Sequence, residues 1–140
     1  MSKTKYIKEN RLEDVMALIQ VLALDANSHR SEDGLKSELP SKPSSANSWS
    51  ELAKEHHEFF RVIEGKKHPI SLVTRHVAED SGIKRPALSP EHTQALLNTA
   101  IEIHDRQVRR DQRWTVLIPI WVAVIGAIVA VFKILSENGT

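Results

Sequence analysis

Cysteine is absent from the 140 residues, which excludes disulfides, thiolate metal sites and cysteine nucleophiles. Glycine occurs only five times, and no GxxxxGK[ST], GxGxxG or GxSxG string is present, so phosphate-cradling loops and a serine elbow have no support in the sequence. The seven histidines form no HxxxH or HExxH motif, and adjacent His56 and His57 point to different faces of a helix, so neither a metal nor another cofactor is expected. The acidic pairs Glu32-Asp33 and Glu79-Asp80 fall at a helix start and in a linker, without an apolar pocket to raise a pKa. Charge of one sign is also missing: Lys+Arg 19 against Asp+Glu 18 gives a formal +1. A chain of this length forms one ordinary domain. Its core is too small to house a sizeable pocket, so an enzyme is not expected.

What is present is concentrated near the C-terminus. Trp114 to Phe132 is 19 residues without a charge, 16 of them apolar. As a helix it spans about 28 Å, close to the roughly 30 Å of bilayer hydrocarbon. A core helix in so small a protein would be amphipathic, whereas this one is apolar all round. Trp114 stands at one boundary, and Lys133 follows the run and can snorkel to headgroups. Arg106, Arg109, Arg110 and Arg113 precede the span, and only Lys133 follows it. The positive-inside rule then places the N-terminal side in the cytoplasm. The expectation is a single-pass protein of the cell (inner) membrane, with a short tail at 133–140 on the far side. The first residues contain no apolar signal region, so export of the large part is not expected.

The rest reads as a small helical domain over residues 1–77. Leu12, Val15, Ile19 and Leu22 repeat at helical spacing and predict a helix over 11–26, with Asn10 as N-cap and Glu13 completing a capping-box-like pair. Ser31-Glu32-Asp33 starts a second helix, with Leu35 and Leu39 on one side and Pro40 as its stop. Ser48-x-x-Glu51 is a capping box for a third helix that runs to about Glu58. Two β-prone runs, 59–63 and 70–77, flank a turn containing Gly65 and Pro69, a hairpin signal. Three short helices followed by a hairpin is the order of a winged helix. The fold class expected is therefore mainly α with a small β-hairpin, a winged-helix-like domain leading to one transmembrane helix.

The strings Glu9-Asn10-Arg11-Leu12-Glu13-Asp14-Val15, Ile19-Gln20, Glu55-His56-His57-Glu58-Phe59-Phe60-Arg61 and Ser71-Leu72-Val73 resemble a group of small uncharacterised bacterial proteins. Those have a winged-helix-like N-terminal domain and a single C-terminal transmembrane helix. The resemblance covers most of the chain in short blocks. His57 stands where the group's pattern has Pro, and Thr74 where it has Trp. The resemblance implies an architecture and supplies no catalytic residues.

Residues 78–90 carry Gly and two prolines and read as a linker. Ser89-Pro90-Glu91 starts a juxtamembrane helix over 91–113, whose stripe is Leu97, Ile101, His104 and Val108. The span then occupies 114–132. Within it Ala123 and Ala127, and Gly126 and Ala130, are four apart. Small residues at that spacing allow close helix approach and make a homo-oligomer a fair expectation.

A winged helix often places its third helix in DNA, but here that helix bears Glu51, Glu55 and Glu58 against Lys54, and unpaired carboxylates repel phosphates. A cytoplasmic protein partner is therefore preferred, contacted through Glu51, Lys54, Glu55, Lys66 and Lys67. The hairpin, with Arg61, Lys66, Lys67 and Arg75, is the more basic element. The reading is a membrane-anchored adaptor or sensor, with the lipid bilayer and a protein as partners. A membrane-tethered nucleic-acid-binding regulator and a small membrane-permeabilising effector are the rivals.

Overall fold

The computed structural model describes residues 6–77 and 86–137. It is mainly helical, with one small antiparallel sheet and a long C-terminal helix. The elements run α1 (Arg11–Leu24), β1 (His29–Arg30), α2 (Glu32–Lys36), α3 (Trp49–Glu55), β2 (Phe60–Val62), β3 (Ile70–Leu72), α4 (Val73–Val77) and α5 (Pro90–Glu137). Two compact units divide the chain, Met1–His104 and Asp105–Thr140.

In the first unit α1 buries Val15, Leu18, Ile19, Leu22 and Ala23, with Leu12 half-buried, as its 3.6-residue stripe requires. Its start differs from the sequence reading. Asn10 is left-handed (φ 58°) and its side chain makes no cap; the first turn is instead held by Arg11 N–H donating to the Lys8 carbonyl at 3.1 Å. Ser31 does cap α2, accepting from Gly34 N–H at 3.1 Å. Ser48 caps α3, accepting from Glu51 N–H at 3.0 Å. The Glu51 carboxylate reaches one residue further back than a capping box would take it and accepts from Asn47 N–H at 3.1 Å. Glu32, on α2, closes the same helix end by accepting from Trp49 N–H at 2.9 Å and Ser50 N–H at 2.8 Å. An acid at a helix N-terminus satisfies orphan donors and the positive end of the dipole together.

Helix α3 stops at Glu55, three residues before the expected end. His56 is non-helical (φ −115°, ψ 53°) and a turn follows, with Phe59 and Phe60 N–H both donating to the His56 carbonyl. That turn sends both phenylalanines into the core. Phe60 then pairs with Leu72, and Val62 with Ile70, in the β2–β3 hairpin. Gly65 occupies its connecting loop at φ 80°, a conformation glycine adopts at no steric cost. The third strand, β1, was not legible in the sequence. It pairs with the far edge of β3, giving strand order β1–β3–β2. With a neighbour on each side, β3 buries Ile70, Ser71 and Leu72 alike.

The second β-prone run ends early. Residues 73–77 form α4 rather than continuing the strand, so β-branched Val73 and Thr74 yield to tertiary demands. One consequence is a correction at Arg75. It is no part of a basic hairpin surface: its side chain is buried and its Nη1 donates to the carbonyls of Leu22, Asp25 and Asn27. It thereby caps the C-terminal end of α1.

Of the expected linker, residues 78–85 lie outside the described residues, as do residues 138–140 of the tail. Leu88 N–H donates to the Ala23 carbonyl at 2.9 Å and Leu88 packs on the core. Helix α5 starts at Pro90 as expected, with Ser89 Oγ accepting from His92 N–H. Its core-facing residues are Thr93, Leu96, Leu97, Ala100 and Ile103, while Ile101 is exposed. The buried stripe is thus turned away from the 97–101–104–108 line, and the compact unit extends beyond residue 77 into the first turns of α5.

The second unit is the remainder of α5. The helix runs through Pro119 to Glu137, although the proline ring offers no N–H to the carbonyl four residues earlier.

Candidate functional site: an apolar helix and the α3–hairpin surface

Helix α5 is long and apolar enough to cross a membrane, and none of its most apolar 18-residue window is buried. Trp121 is 64% exposed and Phe132 71%. Soluble monomers rarely present a continuous apolar surface of this extent, and such surfaces mark contact with another protein or a membrane. Ala123, Gly126, Ala127 and Ala130 are exposed too, and nothing lies within 4 Å of where a Gly126 Cβ would stand. Arg106, Arg109 and Arg110 are exposed on the N-terminal side of the run and Lys133 on the other. Arg113 and Trp114 occupy helical positions between them.

The first unit carries the other candidate surface. Geometry changes the meaning of its acids. The Glu55 carboxylate is clasped by Arg11 Nη1 and by Lys8 Nζ at 3.1 Å. Glu51 is bound to Asn47 N–H. Glu58 accepts from the Tyr6 hydroxyl and lies 3.0 Å from His56 Nδ1. All three carboxylates counted against a phosphate partner therefore serve intramolecular contacts. Lys54 is paired with Glu64 on the loop after β2. By contrast Arg61, Lys66 and Lys67 are exposed and make no ion pair among the described residues. With Glu64 paired to Lys54, the exposed hairpin charge outside ion pairs is thus cationic. The five residues expected to contact a partner do not act as one set: Glu51 and Glu55 are occupied inside the fold, and the lysines remain at the surface.

Behind this surface lies a buried polar cluster that sequence spacing did not reveal. Tyr6 and His56 stack edge-on, with ring centroids 4.5 Å apart, and both are fully buried. Burial, and then the hydrogen bond and charge of Glu58, raise the Tyr6 pKa, so the phenol stays a donor. Arg11 is also buried, with Nη2 donating to the Ser45 carbonyl at 2.7 Å. Asp14 accepts from Ser45 N–H at 2.7 Å. Together they strap the Ser-rich loop onto α1. The only sequence signal for this cluster was the polar string at 55–58, and its partners Tyr6 and Arg11 are more than forty residues away. Among the described residues no three His, Asp or Glu side chains assemble as metal ligands.

The clasp on Glu55 gives a pH dependence with a definite sign. Burial opposes ionisation of Glu55, but the Lys8 hydrogen bond and the charge and hydrogen bond of Arg11 outweigh it and lower its pKa below 4.5. A carboxyl whose pKa is depressed by folding contributes stability that is present above its unfolded value and lost as pH falls through the folded value. Urea midpoints should therefore decline below about pH 4.5. In Glu55→Gln that part of the decline should vanish. The side chain is partly exposed, so solvent screening limits this contribution to about 1 kcal/mol or less. An unchanged acid limb in the variant would rule the clasp out as its source.

Compared with known proteins, the chain matches no family model, no curated protein and no solved structure.

Proposed function

We propose that this chain is a single-pass membrane-anchored adaptor or sensor whose N-terminal unit is a winged-helix-like domain that binds a protein partner. The observation that carries the reading is the apolar length of α5 with none of its central window buried. Lipid is the solvent that such a helix fits, because its backbone polar groups, the carbonyl opposite Pro119 aside, are satisfied within the helix. Arginines ahead of the span support a cytoplasmic first unit in the cell (inner) membrane. The order α1-β1-α2-α3-β2-β3, with β3 central in the sheet, supports the winged-helix-like assignment, as does the resemblance to small bacterial proteins of that architecture. Small residues exposed along the apolar helix support self-association within the membrane.

The contact surface for the partner is the hairpin side, with Lys54, Lys66 and Lys67. Glu51 and Glu55 hold the surface in shape from within. A nucleic-acid partner is the second reading, favoured by the ion pairing of Glu55 with Arg11 and the intramolecular hydrogen bonds of Glu51 and Glu58. Against it, the N–H groups of Trp49 and Ser50 that open α3 are already taken by Glu32 and are not free for a phosphate. A membrane-permeabilising role has no geometric feature of its own here.

The test is a detergent pull-down of the full chain beside Lys66→Glu/Lys67→Glu, identifying both protein and nucleic acid. The adaptor reading expects one protein to be retained by the wild type and weakened at least about tenfold by the double reversal, because juxtaposed like charges cost several kcal/mol. Retention of nucleic acid with the same dependence would replace the adaptor with the tethered regulator.

A further inference from the structure

The part of α5 that leads into the apolar run presents its arginines to one side. Positions 106, 109 and 110 share a helical face with 113. The local acids are arranged otherwise. Asp111 falls on the opposite side and Asp105 to the flank, while Glu102 precedes Arg106 by one turn on the cationic face. Arg109 and Arg110 are exposed. Arg109 Nε donates to the Asp105 carbonyl at 3.3 Å. Arg110 engages no acid among the described residues.

Depth decides what meets these cations. The uncharged run beginning at Trp114 fills the hydrocarbon, and Arg109 and Arg110 stand about 6–8 Å before it along the helix. The headgroup layer on each side of the hydrocarbon is about 5–8 Å thick. The guanidinium groups of Arg109 and Arg110 therefore lie at the level of the lipid phosphates, while Arg106, about 12 Å before the run, stands on the aqueous side of that layer. A guanidinium matches a phosphate with two parallel hydrogen bonds. We propose that Arg109 and Arg110 form a one-sided binding site for the phosphate headgroups of anionic phospholipids. This rests on the membrane reading of α5 and adds to it a lipid class and a face. A cation held close to an anionic surface favours it by about a factor of five, so even two unneutralised arginines impose a measurable preference.

The experiment reconstitutes the full chain in vesicles of phosphatidylcholine with a minority of phosphatidylglycerol. Spin-labelled forms of each lipid then report which one occupies the protein's perimeter. The wild type should prefer phosphatidylglycerol several-fold, and the preference should fall as salt is raised. Arg109→Gln/Arg110→Gln should insert equally well with the preference reduced to near parity, and Arg109→Lys/Arg110→Lys should retain part of it. An inserted wild type with no preference, or a preference unchanged in the glutamine variant, overturns the lipid site alone. A chain that stays outside the vesicles overturns the membrane reading and this site with it.

Discussion

Replacing Val122 and Ile125 by arginine should move the chain from the membrane fraction to the soluble one. Both residues lie near the centre of the apolar run and are more than half exposed, at 65% and 58%. On insertion scales each arginine at the middle of a membrane helix costs about 2.5–3.5 kcal/mol, while each Leu, Ile, Phe or Val returns only about 0.3–0.6 kcal/mol. Two arginines therefore impose roughly 5–7 kcal/mol, enough to cancel the favourable sum from the run's own aliphatic residues. The readout is resistance to alkaline carbonate extraction, with far-UV circular dichroism to show that the first unit keeps its fold. Neither residue belongs to the first unit, so its core should be untouched. If the variant remains as extraction-resistant as the wild type, lipid is not what surrounds this helix.

The second large effect concerns Arg75. Arg75→Leu should lower stability by about 3 kcal/mol, because buried carbonyls left without a donor cost about 1–3 kcal/mol each. The three carbonyls at stake belong to Leu22, Asp25 and Asn27, at 2.9, 2.8 and 3.3 Å from Nη1. A cation there also meets the negative end of the α1 dipole. For a unit of this size, holding about 5–15 kcal/mol in all, the loss corresponds to a fall in melting temperature of about 12 °C or more. Arg75→Lys keeps the charge without the planar fork and should recover only part of it. A leucine variant as stable as the wild type would mean that water serves these carbonyls equally well.

Arg75 also shows where the sequence stopped being informative. Features legible in advance were those encoded by near neighbours: the apolar stripe of α1, the serine caps at Ser31 and Ser48, the existence of the β2–β3 hairpin, the start of α5 at Pro90, and the apolar run. Each depends on residues within about one or two turns of each other. Features set by distant partners were not legible. Arg75 lies in a β-prone run, and only the approach of the α1 end, some fifty residues earlier, explains why it turns inward. β1 is two residues long and has no periodicity to detect. The face α5 buries was misplaced because Ala100, a small residue, supplies contact that an apolar count overlooks. The charge of the candidate surface was misjudged for the same reason. Summing Glu51, Glu55 and Glu58 treated them as exposed, while Lys8, Arg11, Tyr6 and His56, which neutralise or bind them, come from elsewhere in the chain or from the turn after α3.

The carboxylate of Glu32 ties together two elements that could not persist alone. α2 has five residues and α3 has seven, both well under the about 12–15 residues at which an isolated helix becomes even marginal in water. One side chain from the first turn of α2 holds the opening amides of α3. Fraying of either helix therefore releases the other, and the two should melt as one cooperative block. Hydrogen exchange at the Trp49 and Ser50 amides would then report the opening of both helices at once.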